Sequence, residues 1–318
     1  MRPERRATVT AVAGALCIST SAIVMKLGGA SPSLTALGRC GFALPVLAVL
    51  VWLDRRKESA ARAPVNARAR WLARLAGVFL SADLIVWSHA IDEIGAGLST
   101  VLSNLQLLIV ALAGWLVLGE RPRRSMLLAA PVMVFGLLLV GGVLTGGGYG
   151  RNPGLGVVYG VGVAVMYSVY ILLLRQAASG ARLPAVETLF EATLGATVGA
   201  LVLGLALRDF RLGPAWPALG WLVVLALTSQ VIGWLLLTLS LPRLPAWLGS
   251  SLLLVQPVGS VVLSAVFLSE RPTAAQLGGV ATVLVGVLIA TRGASGALDT
   301  TVIKEANLAL EPEANIDG

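Results

Sequence analysis

Long apolar runs separated by short polar breaks fill nearly the whole chain. Runs of about 20 residues, the length that crosses roughly 30 Å of hydrocarbon as a helix, cover residues 7–27, 34–53, 71–91, 98–118 and 126–144. A second set covers 155–174, 185–207, 218–239, 246–268 and 274–291. Within each run the apolar positions are continuous instead of alternating, and a lone strand would leave its backbone groups unpaired in lipid. The pattern therefore predicts ten transmembrane helices and an all-α integral membrane fold.

The ten helices fall into two similar sets. Gly119-Glu120-Arg121-Pro122 returns 150 positions later as Ser269-Glu270-Arg271-Pro272. At the same offset Leu98, Leu102, Gln106, Gly136 and Leu138 fall on Leu248, Leu252, Gln256, Gly286 and Leu288, and Trp71-Leu72 falls on Trp221-Leu222. Leucine matches are cheap in so apolar a chain, but a tetrad, a glutamine and a tryptophan in one register mark an internal duplication. The expected organisation is an N-terminal repeat over residues 1–145, a C-terminal repeat over 151–291 and a polar tail over 292–318, mostly disordered and cytoplasmic. Five helices per repeat is an odd number, so the second repeat is expected to enter the membrane from the opposite side, giving two inverted-topology five-helix repeats. Thr145 to Pro153, with three consecutive glycines, is expected to be a flexible outer hinge.

Composition supports the membrane reading and adds an orientation. The 318 residues are 57% hydrophobic and 13% charged, with a mean hydropathy of +0.86, far from a soluble domain. The net charge of +8 comes from Lys and Arg in short breaks, with no aromatic interleaving, which argues against nucleic acid as a partner. With the N-terminus inside, 18 Lys and Arg fall on the cytoplasmic side and five outside, so both termini are expected in the cytoplasm of a multi-pass cell-membrane protein. The start, Met1 to Arg6 followed by apolar residues, reads as an uncleaved first helix, its run being longer than a secretory signal's. Cys17 and Cys40 lie inside apolar runs and suit neither a disulfide nor a metal pair.

Two repeats, each with Glu-Arg-Pro after its fourth helix and a Gly-rich fifth helix, resemble the EamA family of the drug/metabolite transporter superfamily, over about residues 7–291. The resemblance implies a substrate cavity near mid-membrane between the repeats, alternating access, and roles in exporting amino acids or other small metabolites, in keeping with secondary transporters built from inverted repeats. Small multidrug resistance relatives couple transport through a glutamate in the first helix. Here that helix has no acidic residue, so that mechanism does not carry over.

Polar groups inside spans are costly and need a partner or a wet cavity, which makes them the candidates for binding. Arg39 could take an anionic group such as a carboxylate, or snorkel to headgroups or brace a neighbour. Asp83 and Trp87, one helical turn apart on one face, set an acid beside an aromatic wall suited to an amine or aromatic solute; the other reading is a structural salt bridge, such as one to Arg39. Asn104, Gln106, Gln230 and Gln256 offer amides that donate and accept, for zwitterionic or neutral polar ligands or for holding helices together. Gln106 and Gln256 are repeat-related and so expected near a central axis, with Pro257 able to kink its helix. His89 is either a pH-sensing group or a satisfied surface residue. Glu191 is a possible proton carrier alongside Asp83, while Glu187, one turn nearer the cytoplasm, is expected to be solvated. Glu120 and Glu270 precede helix starts, where a negative charge suits the helix dipole, and are expected to shape turns and not to bind.

There is no phosphate loop, no His-Glu-x-x-His and no cysteine cluster, and His89 is the lone histidine. The reading is therefore not an enzyme, with no cofactor or metal, but a secondary transporter for a small polar or amphipathic metabolite (an amino acid, amine or related compound), acting as monomer or homodimer. An intramembrane lipid-handling enzyme or a non-transporting scaffold is the alternative.

Overall fold

The computed structural model describes residues 3–57, 67–118, 124–178, 183–210, 216–240, 244, 252 and 254–291, and in these the chain is helical with no strand. The helices are α1 (Pro3–Ser19), α2 (Ser21–Gly28), α3 (Pro32–Gly41), α4 (Leu44–Lys57), α5 (Ala67–Ile94), α6 (Ala96–Leu102), α7 (Gln106–Leu118) and α8 (Arg124–Val140). The second half has α9 (Pro153–Ala178), α10 (Ala185–Leu207), α11 (Ala218–Leu225), α12 (Trp234–Ser240) and α13 (Val255–Phe267), then α14 (Ala274–Thr291).

Several of these join end to end. Among the described residues, eight helices are long and apolar enough to cross a membrane: Arg5–Gly28, Pro32–Arg56, Ala67–Ile94, Ala96–Ala113, Pro153–Leu174, Ala185–Leu207, Ala218–Leu237 and Ala274–Thr291. The other two apolar runs appear as shorter helices, α8 and α13. Much of residues 246–254, with which the run ending in α13 begins, lies outside the described residues. So do the tetrad at 119–122, most of the basic loop after α4, and residues 292–318.

Large apolar side chains occur on both the inside and the outside of the bundle. Leu80, Leu84, Trp87, Tyr170 and Leu225 fill one core, and Leu98, Leu102, Met133 and Val283 another. Leu116, Leu128, Phe135, Val202, Val266 and Phe267 are more than half exposed, as a protein with hydrocarbon for its outer solvent requires.

The tightest packing among the described helices is between the two halves: α5 against α9 and α10, α3 against α10, α1 against α12, α2 against α11, and α6 against α13. Small residues permit it. A Cβ on Gly77 would overlap the Ala192 carbonyl, and one on Gly195 the Arg74 carbonyl. At the repeat-related glycines, Gly136 lies against the Gly279 backbone and Gly286 against Met133, locking α8 to α14.

The segment between the halves is tied down where a free hinge was expected. Gln276, fully buried, accepts from the Tyr149 N–H (2.8 Å) and Thr273 N–H (3.0 Å) and donates to the Val140 and Tyr149 carbonyls (both 3.1 Å). A run of glycines suggests freedom only while no distant side chain satisfies its backbone. Gln276→Leu is expected to cost about 2–4 kcal/mol by stranding those groups. Its readout is a lowered melting temperature together with new protease cleavage between residues 145 and 153.

Candidate functional site

Five of the polar residues singled out in the spans sit where their helices are interrupted, while Asp83 and Glu191 lie within the unbroken α5 and α10. Arg39 lies two residues before α3 ends at Gly41. A 3-10 turn, Ser103–Leu105, separates α6 from α7 and carries Asn104, with Gln106 next to it. A π-helical stretch, Ala226–Gly233, carries Gln230, and α13 begins at Val255, beside Gln256. Pro257 thus stands in the first turn of α13, where its missing N–H costs little. Breaks of this kind are tolerated in lipid where the loosened backbone faces protein or a wet cavity.

These breaks surround one cavity between the halves. Arg39, Asp83, Trp87, Asn104, Gln106 and Gln256 line it, with Thr100, Ser103, Tyr167 and Trp234 completing its polar and aromatic wall and Ile18, Leu80, Leu84 and Val163 its apolar one. Its volume is about 90 Å³, below the range of about 300–1,000 Å³ common for small-molecule sites. Sequence reasoning missed Tyr167 and Trp234, because an aromatic in an apolar run carries the same signal whether it faces a core or a cavity.

Three buried atoms at this cavity have no partner: Asp83 Oδ1, Trp87 Nε1 and Gln106 Oε1. One is a donor and two are acceptors. An unsatisfied buried polar group costs about 1–3 kcal/mol, so this wall is built for water or a ligand to complete. Arg39 and Asp83, each 5% exposed, bring opposite charges to the same space without forming the ion pair that was one reading of them. Asn104 is anchored through its Nδ2 to the Thr100 and Val101 carbonyls, both at 3.2 Å. The repeat-related glutamines are held alike by their backbones: Ser168 donates to the Gln106 main-chain carbonyl (3.3 Å) and Ser19 to that of Gln256 (3.0 Å).

Two expected site residues stand elsewhere. Gln230 is 1% exposed and lies behind the wall, accepting from Arg39 Nε at 3.1 Å and donating to Thr193 Oγ1 at 3.1 Å. Glu191 is outside the cavity, held by Arg74 Nε at 2.7 Å with Arg70 at 3.6 Å. Its neighbour Glu187 is not solvated: it is 2% exposed and bonded to Arg55 (2.7 Å) and Arg70 (2.9 Å). The first turns of α10 face the basic ends of α4 and α5, and the arginines cover both carboxylates.

A second group of charges surrounds a smaller set of contacts. Glu270, 2% exposed, accepts from Lys26 Nζ at 3.0 Å and from the Ala96 and Gly97 N–H groups at 2.8 and 3.2 Å. The expected meeting of carboxylate and helix dipole occurs, but on α6 of the other half and not on the helix that follows Glu270. Nearby, Arg151 bonds Glu93, which raises the already high pKa of the guanidinium. His89 stacks on Tyr159 with ring centroids 5.5 Å apart. Cys17 and Cys40 are free.

The family model of EamA-like transporters matches residues 5–142 and again 154–292. This chain belongs to the EamA-like transporter family. That places it in the drug/metabolite transporter superfamily, and makes the EamA-like protein a multi-pass membrane protein of a transporter family with two copies of the repeat. A crystal structure of a protein 20% identical to it superposes with a TM-score of 0.60 over 92% of this chain and 99% of that one, a likeness of fold. No curated protein matches it.

Proposed function

We propose that this EamA-like protein is a secondary carrier that moves a small polar or amphipathic metabolite across the cell membrane by alternating access, in the direction of export. The observation that carries this reading is the central cavity with three buried, unpartnered polar atoms and two opposite charges on its wall. A carboxylate suits Arg39, an ammonium suits Asp83 and the aromatic wall, and the free Gln106 Oε1 takes a further donor. Amino acids and amines meet these demands.

Ten spans in two inverted repeats, with both termini in the cytoplasm, complete the proposal. Its supports are the odd number of apolar runs per repeat, the charge bias of the breaks and the matching ways in which the halves embrace, α5 with α9 and α10 as α11 with α2 and α3. Asp83 is the better candidate for coupling to a proton, since Glu191 would first have to shed two arginines.

Flux in proteoliposomes with a panel of amino acids, amines and nucleobases tests the reading. The expected result is saturable flux of at least one zwitterion or amine, reduced about tenfold or more in Asp83→Asn, in line with the loss of a charged hydrogen bond. Absence of flux for every solute, with turnover of a lipid, would overturn it in favour of an intramembrane enzyme. Cysteines placed at Gln106 and Gln256 should be labelled alternately from the two sides of the membrane; a scaffold would show no such alternation.

A further inference from the structure

Two buried opposite charges that share a cavity in lipid are expected to close on each other. At low dielectric their attraction is strong and each is otherwise unpaired. Arg39 and Asp83 line the same cavity, yet Asp83 Oδ1 has no partner. The reason lies behind Arg39. Its Nε is bonded to Gln230 Oε1, and Gln230 Nε2 is bonded to Thr193 Oγ1, itself fully buried. Because the guanidinium is planar, fixing Nε also aims the two terminal nitrogens.

The backbone around Gln230 is shaped for this. Gln230 lies in the π-helical stretch Ala226–Gly233, a rare geometry found frequently at functional sites, and its neighbour Ser229 is pinned by the Ser21 hydroxyl at 2.6 Å. The chain Thr193, Gln230, Arg39 runs through three elements and ends at the cavity wall, with both ends of the Gln230 amide occupied.

We propose that Gln230 is a positioning residue that acts as a spacer: it holds Arg39 apart from Asp83, so the cavity keeps two separate opposite charges for a ligand and does not collapse into an internal ion pair. Its use in selecting zwitterions rests on the transport reading above; the spacing itself does not. Without Gln230, the guanidinium is free to turn to Asp83, and the site closes on itself while the fold survives.

A double-mutant cycle on the purified full chain in detergent tests the spacing with no ligand. Arg39→Gln, Asp83→Asn and the double variant are melted in the wild-type and Gln230→Leu backgrounds. Melting shifts are expected to add within about 2 °C in the wild type and to depart from additivity by about 4 °C or more with leucine at 230, where the new pair couples them. Equal coupling in both backgrounds, or additivity in both, overturns the proposal. Should Gln230→Leu fail to fold, Thr193→Val removes the anchor of the amide more gently and is run through the same cycle.

Titration with L-phenylalanine, phenethylamine and 3-phenylpropionate adds the selectivity. Gln230→Leu is expected to weaken phenylalanine at least tenfold, and adding Asp83→Asn to it to restore 3-phenylpropionate, because Arg39 is released. Restoration without any coupling in the cycle would overturn the spacer. If the wild type binds none of the three while coupling still appears only with leucine at 230, the spacer stands and the substrate reading fails.

Discussion

Gly77→Val is expected to leave little of the protein folded. Gly77 sits in α5 where that helix crosses α10, and a Cβ there would overlap the Ala192 carbonyl oxygen and crowd the Ala196 nitrogen. These are backbone atoms, so no rotamer change makes room; the helices must separate. Gly195 makes the reciprocal approach, to the Arg74 backbone, and separation would therefore open both contacts. It would also disturb the Arg74–Glu191 pair beside them. Overpacking a core costs about 1–3 kcal/mol where side chains can shift. Here the cost should exceed about 3 kcal/mol, a large part of a typical total of about 5–15 kcal/mol. Thermal unfolding in detergent should show a fall of about 10 °C or loss of the monodisperse peak. Gly278→Ala, at a position with open space around its Cβ, should melt within about 2 °C of the parent.

Glu270→Ala is expected to be nearly as damaging. Its carboxylate closes the start of α6, taking the Ala96 and Gly97 N–H groups and the Lys26 ammonium together. Alanine would strand two buried donors at a helix start and leave the ammonium without its partner. A lost cap costs about 0.5–2 kcal/mol, and removal of one member of a buried charged pair about 3–5 kcal/mol. Lys26 is 35% exposed, so water recovers part of the latter, and a total of about 3 kcal/mol is the expectation. Glu270→Gln should recover about half of it by keeping one acceptor. Lys26→Met should cost about 1–2 kcal/mol, since the buried carboxylate keeps its two N–H donors but loses its counter-charge. If Lys26→Met proved as harmful as Glu270→Ala, the ion pair and not the helix cap would be what matters. Gly95 belongs to the same structure: its φ of +94° and the contact between its would-be Cβ and Glu270 Oε2 at 2.8 Å leave glycine as the fitting residue, and the cap seats on it.

The repeated tetrad shows how far local reasoning reaches. A glutamate before a proline and a helix suggests a turn with its charge near a helix dipole, and the charge does meet one. That it belongs to α6, some 170 residues earlier in the chain, is invisible locally. Gln276 makes the same point. It reads as one more polar residue in an apolar helix, and its bonds to Tyr149 and Val140 arise only once α14 lies beside them.

The cavity was legible to a larger degree. Arg39, Asp83, Trp87, Asn104, Gln106 and Gln256 could be picked out because an apolar span makes any polar group conspicuous, and such groups are kept from lipid. Gln230 stood out for the same reason, but conspicuousness does not distinguish a wall from the layer behind it. Glu187 and Glu191 were separable from the cavity only when the arginines of α4 and α5 came to cover them.

By itself, the sequence determined the helices, the lipid surroundings, the duplication and the family, since each is written in hydropathy, charge and a motif that recurs at a fixed spacing. Only the tertiary structure decided which polar groups share a cavity, which stand behind it and which close the ends. Periodicity states which residues share a face of one helix, whereas the meeting of faces depends on how closely two helices approach and at what rotation. In this protein those approaches are set by contacts between the halves, at glycines such as Gly77 and Gly195, whose partners lie more than a hundred residues away.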